Sequence, residues 1–246
     1  MQVKPITDNC RRNYDNRTHI CFGISPFNSY FSEARIHSLC EWGLQNFSSM
    51  HLFVPDVPSA YTMEALGYSP EKSAWKAKRQ ANYLHNKIFR VLKNLGVTGD
   101  HAYHMVLDWE KLSVNSRYQY HLREVHELFE IDADFKRVCL ESSRWVMERK
   151  IENMDLLNDQ ALALAVKYFL TEIPLFANTP EILGIESSVF CYHQVIPFLE
   201  NLYQGKMAKK VSPAQGYIQL EPAISGVFPI ADQAEISDAK DDAFRL

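Results

Sequence analysis

An open α/β sheet, mostly parallel and flanked by helices within one domain, is the fold the sequence predicts. Short apolar runs bounded by turn residues alternate with longer segments of helical period. The first three segments read strand, helix, strand, the unit from which parallel sheets are built. The chain has 246 residues, 46% of them hydrophobic, enough for one well-formed core.

Residues 19–25 (HICFGIS) are apolar and stop at a Pro-Phe-Asn turn, as a buried strand would. A helix is expected over about 32–47, with Ser29 or Ser32 as N-cap and Ile36, Leu39, Cys40 and Leu44 at helical spacing. Residues 51–54 read as the second strand, ended by Pro55-Asp56. A long helix is expected over 70–95, with Pro70 in its first turn and Gly96 just beyond its end. Residues 101–106 are a candidate third strand. Two helices are expected over 115–131 and 134–149. Asn158 caps a further helix running to Glu172, which Pro174 should end. Residues 187–192 read as a strand, 197–203 as a short helix, and 217–220 as the last strand. About 228–246 reads as a flexible tail; residues 231–246 hold five acids against two bases.

Composition narrows the function classes. Five cysteines, an odd number with no CxxC pair, argue against a disulfide framework or a structural zinc site. The pairs His101/His104 and His121/His126 lack neighbouring ligands and read as surface histidines, so no metal is expected. No GxGxxG or Walker pattern supports a nucleotide cofactor. No run reaches the roughly 18 apolar residues of a membrane helix. The first residues lack the apolar core of a signal peptide. The expectation is a soluble, cytoplasmic protein with no membrane partner.

Net charge is −4, yet residues 70–95 carry seven basic residues against one acid. At about 100° per residue, Lys72, Lys76, Arg79, Lys87 and Arg90 fall within about 80° of helix arc. A solvated helix face would interleave acids, whereas a one-sign stripe suits a phosphate backbone.

Ser25 ends the first strand, where open α/β sheets bind their ligands. Taken alone, the position is better read as a serine closing a turn. Tyr168 and Glu172 lie four apart on one helix face, and Tyr192-His193 end a strand. Each has a plain structural reading: a surface aromatic, a solvated acid, a packed ring.

Taken together, GISPFNSYFS at 23–32, Tyr168 with Glu172, and CYH at 191–193 resemble the cyclodipeptide synthases in type, order and spacing. Asn28, Tyr192 and His193 resemble the signature of the family's Asn-Tyr-His subgroup. The resemblance runs from about residue 15 to 222. It implies one Rossmann-like catalytic domain similar to that of class I tyrosyl- and tryptophanyl-tRNA synthetases. It further implies that two aminoacyl-tRNAs are the substrates. Ser25 would take the first aminoacyl group as an ester, and Tyr168 and Glu172 would hold its α-ammonium. Asn28 and His193 would help position it, and Tyr192 would aid proton transfer. The amine of the second aminoacyl-tRNA would then attack, giving a dipeptidyl enzyme, and cyclisation would release a diketopiperazine. The ester is already activated, so neither ATP nor a cofactor is required. Glu172 should then be ionised at neutral pH, as an ordinary carboxylate is.

For the amino-acid pocket, Cys21 and Gly23 share a strand face with Ser25, as Phe190 does with Tyr192. Phe53 and Leu175 are further candidates, although core packing would account equally for Phe53. Gly23 should leave room for the bound group. In the family, a basic helix in this region is similarly linked to tRNA.

Three rival readings remain. Lys206-Met207-Ala208-Lys209-Lys210 resembles the KMSKS loop of class I tRNA synthetases, but no HIGH-like motif follows the first strand, and a basic surface loop explains it better. A serine esterase would need the second glycine of GxSxG, which GISPF lacks. A non-catalytic tRNA- or nucleotide-binding module would explain the basic helix but not the Ser, Tyr, Glu and Tyr set.

Overall fold

The computed structural model describes residues 1–150 and 157–221. The elements in chain order are β1 (Gln2–Pro5), α1 (Asp8–Asp15), β2 (His19–Gly23), α2 (Glu33–Asn46), β3 (Ser49–Phe53), α3 (Ala60–Ala65), α4 (Pro70–Asn94), α5 (Gly99–Met105), β4 (Val106–Leu107), α6 (Trp109–Val114), α7 (Ser116–Ile131), α8 (Ala133–Met147), α9 (Asp159–Leu183), β5 (Ser188–Tyr192), α10 (Pro197–Tyr203) and β6 (Gln215–Glu221). A short 3-10 turn, Val57–Ser59, leads into α3. The tail expected at about 228–246 lies outside the described residues.

The sheet has the order β1-β6-β5-β2-β3-β4, and only the β1–β6 pair is antiparallel. This is the open, mostly parallel α/β sheet expected. Every residue of β2 is buried, as befits a strand covered on both faces. Its alternation splits the core in two. Ile20 and Phe22, with Leu52, Val189 and Ile218, face α2 and α4. Cys21, with Phe53, Phe190 and Tyr217, faces α7 to α10. From β2 the chain proceeds outward on one side through β3 and β4, and on the other through β5 and β6. The order therefore reverses between β2 and β5, and ligands sit beyond the strand ends at such a point.

Local capping chemistry sets most helix starts. The side chains of Ser32, Ser69, Asn115 and Asn158 each accept from a backbone N–H in the following turn. Gly184, at φ 67°, ends α9 in the left-handed conformation that glycine adopts without a Cβ penalty.

Several expectations are corrected. Residues 101–106 are mostly helix α5, and only Val106 and Leu107 form a strand. An outermost strand needs few residues, and α5 buries just Ala102 and Met105, too sparse a pattern to announce a helix. Pro174 does not end its helix: α9 continues to Leu183, passing Pro174 and Pro180, with Asn178 out of helical conformation. Residues 173–180 are all buried, so tertiary packing offsets the hydrogen bond that Pro174 removes. Nearby, the Tyr118 hydroxyl donates to the Thr171 carbonyl at 2.8 Å. α9 is also long and apolar enough to cross a membrane, but 67% of that window is buried against the rest of the protein.

His121 is not a surface histidine. It is buried, with ring nitrogens 3.2 Å from Glu124 and 3.0 Å from Glu181. The 206–210 run is not a simple surface loop either, because Met207 and Lys209 are buried and Lys209 is ion-paired with Glu124. All five cysteines are buried and free. Among the described residues no cluster of His, Cys, Asp or Glu could hold a metal. The elements β1, α1, α3 and α6 have no counterpart in the sequence expectations.

Candidate active site

Past the end of β2 the chain makes a tight turn, Ser25 to Asn28, before α2. Phe27 adopts φ 56°, the left-handed region that costs an ordinary residue about 1–2 kcal/mol. The turn presents Ser25 and Asn28 toward the end of β5. There the Ser25 Oγ lies 3.0 Å from the Tyr192 hydroxyl. The Asn28 amide nitrogen lies 3.3 Å from the same hydroxyl and 3.2 Å from His193 Nε2. Asn28 Oδ1 accepts from the backbone N–H of Tyr30 at 3.0 Å, so the amide presents its NH2 group to Tyr192 and His193. The His193 ring stacks on Tyr30, with centroids 4.0 Å apart.

From the opposite wall, Tyr168 and Glu172 project from α9. Their i, i+4 spacing lets the Tyr168 hydroxyl donate to Glu172 Oε1 at 3.1 Å. Ser25, Asn28, Tyr168, Glu172, Tyr192 and His193 all line one cavity of about 420 Å³.

Burial dominates the electrostatics of this cavity. It raises the Glu172 carboxyl to about 8, against the opposing pull of the Tyr168 hydroxyl bond. The expectation of an ordinary ionised carboxylate is therefore corrected: burial favours the protonated form of Glu172 at neutral pH. Tyr192 is pushed up to about 12 by burial, with its bond to Ser25 acting the other way. Tyr168 is raised by burial and by the neighbouring Glu172. His193 is lowered to about 4 by burial and by Arg35. It is thus neutral at pH 7, and its Nε2 accepts from Asn28. With Asn28 donating to Tyr192, the Tyr192 proton is free for the bond to Ser25 Oγ, in which either hydroxyl can donate.

The pocket expectations fare unevenly. Phe190 and Gly23 line the cavity. Gly23 does not leave room for a bound group, however: a Cβ there would lie 2.9 Å from the Phe190 ring and 3.3 Å from that of Tyr192. Its smallness admits those two rings. Cys21, Phe53 and Leu175 are buried in the core and are not brought to the cavity; Phe53 packs behind Phe190 at 6.4 Å between centroids. At this point of α9 it is Phe176, the neighbour of Leu175, that reaches the wall. Phe169, Tyr217 and Lys150 also line the cavity and were not singled out from sequence.

On α4 the apolar side, from Ala77 through Leu92, is buried, leaving the basic stripe outward. Lys72 and Lys76 lie 5.1 and 4.6 Å from the Tyr68 ring, Arg79 5.4 Å from that of Trp75, and Lys87 4.3 Å from that of Tyr83. Arg90 is ion-paired with Glu33 at 2.8 Å. Trp75 and Tyr83 are exposed, so the stripe interleaves cations with open aromatic faces.

Residues 1–222 match the family model described as cyclodipeptide synthase. A cyclo(L-tyrosyl-L-tyrosyl) synthase of Mycobacterium tuberculosis is 31% identical over 89% of this chain and 75% of its own length. A cyclo(L-leucyl-L-leucyl) synthase of Bacillus subtilis is 30% identical over 88% and 87%. The crystal structure of a cyclodipeptide synthase from Bacillus thermoamylovorans superposes with a TM-score of 0.83 at 30% identity, covering 90% of this chain and 96% of that one. A more distant structure, a cyclodipeptide synthase from Candidatus Glomeribacter gigasporarum bound to Phe-tRNAPhe, shares the fold at a TM-score of 0.51 and 14% identity over 88% and 92%.

Proposed function

The chain belongs to the cyclodipeptide synthase family, and from that premise we propose that it joins two aminoacyl groups, drawn from two aminoacyl-tRNAs, through esters on Ser25. Membership makes it an aminoacyltransferase; the tRNA donors, the serine intermediates and the residue roles are our reading. The observation that carries it is the convergence of Ser25, Tyr168, Glu172 and Tyr192, from three separate elements, on one cavity.

In the first step Ser25 Oγ attacks the ester carbonyl of an aminoacyl-tRNA. The tRNA 3′ oxygen departs with a proton, and the aminoacyl group stays on the serine. An ester replaces an ester, so no ATP is needed. The Tyr192 hydroxyl, donating to Oγ, orients the nucleophile. Asn28 fixes Tyr192 and is itself fixed by the Tyr30 amide and by His193.

In the second step, bond bookkeeping decides which amine attacks. If the second substrate's amine attacked the enzyme ester, the serine would be emptied and the dipeptide would leave on tRNA. Retaining the dipeptide on Ser25 requires the enzyme-bound amine to attack the second aminoacyl-tRNA. That amine must first shed a proton. An α-amino group titrates near 7.7–8.0, and Glu172 sits at about 8. The two groups are matched, so Glu172 can pair with the ammonium and then take its proton. The free terminal amine of the dipeptide finally attacks the serine ester and closes the diketopiperazine ring.

The stripe of α4 supports tRNA as the carrier. Lys72, Lys76, Arg79, Lys87 and Arg90 are the proposed phosphate contacts, and Arg90 is ion-paired with Glu33 on the same surface. Replacing Arg79 and Lys87 with glutamate should weaken tRNA binding and flatten the slope of log affinity against log salt by about one per lost contact. An unchanged slope would place the tRNA elsewhere. The proposal sets the enzyme in the cytoplasm, where charged tRNAs are, as a single catalytic domain. The Tyr-Tyr and Leu-Leu names of equally similar relatives leave the amino acids open.

The reading is tested by giving the purified protein the full set of charged bacterial tRNAs without ATP. Diketopiperazine masses should appear by mass spectrometry and identify the residues joined. Binding of tRNA with no product would leave only the binding module.

A further inference from the structure

One side chain at the cavity has no part in the steps above. Lys150 lies just past the end of α8, and its ammonium donates to the backbone carbonyl of Phe27 at 3.2 Å. It therefore reaches from the helical layer to the turn that bears Ser25 and Asn28. No described carboxylate offsets its charge, and burial pulls its pKa down.

Phe27 is one of two non-glycine residues with positive φ among the described residues. Such a conformation persists where the surroundings over-determine it. On the Asn28 side the turn is closed by Phe31 N–H to the Asn28 carbonyl at 3.2 Å and by Tyr30 N–H to Asn28 Oδ1 at 3.0 Å. Lys150 supplies the restraint at Phe27 itself. If Phe27 relaxed toward negative φ, the chain entering Asn28 would swing, and the amide would leave Tyr192 and His193. Ser25, two residues earlier, would lose its register with the Tyr192 hydroxyl.

We propose that Lys150 is a positioning residue of the catalytic turn: its hydrogen bond to the Phe27 carbonyl holds the left-handed peptide that aims Ser25 and Asn28. The inference rests on the reading of Ser25 as nucleophile. It assigns Lys150 to the turn rather than to substrate, so its loss acts on turnover and not on binding.

The test is the single-turnover formation of the Ser25 ester from a labelled aminoacyl-tRNA, followed as a function of tRNA concentration. Lys150→Met should lower the maximal rate about tenfold to a hundredfold, the scale of a small misplacement of reacting groups. The half-saturating concentration should stay near the wild-type value. Lys150→Arg, which still donates, should recover most of the rate. Adding Phe27→Asn, a residue that tolerates positive φ, to Lys150→Met should also recover rate. If Lys150→Met does not fold, Lys150→Leu, which likewise cannot donate, carries the same comparison. A raised half-saturation with an unchanged maximal rate would overturn the proposal and make Lys150 a contact to substrate phosphate. An unaffected rate, or a loss that neither Lys150→Arg nor Phe27→Asn relieves, would also overturn it. If the wild-type protein forms no ester on Ser25, the proposed function fails instead, which separates the two outcomes.

Discussion

Replacing Ser25 by alanine should abolish both product and covalent intermediate, a loss on the order of 10³-fold or more in turnover, as when a nucleophile is removed. The variant should fold. Ser25 is partly exposed to the cavity, and its side-chain partners are the hydroxyls of Tyr192 and Tyr168. Intact-protein mass spectrometry after mixing with aminoacyl-tRNA should show an added aminoacyl group on the wild type and none on the variant. Later samples of the wild type should show the dipeptidyl mass. Serine has an unfavourable free pKa for attack and ordinarily needs help. Here the leaving tRNA oxygen can take the proton, while Tyr192, held protonated to about 12 by burial, donates a hydrogen bond. Undiminished product from Ser25→Ala would remove the serine from the chemistry altogether.

Glu172→Gln should be the next most damaging change, costing about 10²–10³-fold in kcat/KM, the scale of leaving a buried charge without its partner. The glutamine keeps the shape and the bond from Tyr168 but can neither pair with an ammonium nor accept its proton. The pH profile gives the sharper test. In the wild type the carboxyl and the incoming ammonium together carry one proton too many below pH about 8. Their pairing must release it, so kcat/KM should climb with pH toward about 8 with an apparent value belonging to the pair. In Glu172→Gln that climb should vanish.

Stability should move the other way. The folded-state pKa of Glu172 lies above its unfolded value, so its favourable contribution is complete below about 4.5 and is lost as pH rises through about 8. Thermal melts should therefore show Glu172→Gln gaining on the wild type between pH 5 and 9. A variant equally impaired at every pH, with no alkaline gain in melting temperature, would mean that the carboxyl is not buried as described.

Much of this was legible in the sequence because the signals were local. The apolar run before Pro26, the caps at Ser32 and Asn158, and Pro70 with Gly96 around a 25-residue helix are written in neighbouring residues. Tyr168 and Glu172 needed only helical spacing to be placed on one face. What failed depended on tertiary surroundings. Pro174 looked like a stop because the packing that tolerates it comes from distant segments. Leu175 and Phe176 differ by one helical step beside that proline, and their phase toward the cavity is not a local property. Gly23 was read as space, since nothing nearby in the sequence reveals that the Phe190 and Tyr192 rings fill it. The pKa of Glu172 follows from burial, and the role of Lys150 from a contact across 123 positions of chain.

The two flanks of the sheet carry a further consequence. Its outermost members are β1, which includes Pro5, and β4, which is two residues long. Proline cannot donate to a ladder, and two residues offer almost no backbone for another strand to add to. The apolar strands β2 and β5 are shielded between neighbours on both sides. Copies of the folded protein crowded together thus meet short, proline-bearing margins rather than the long apolar strands, which disfavours fibre-like stacking of the sheet.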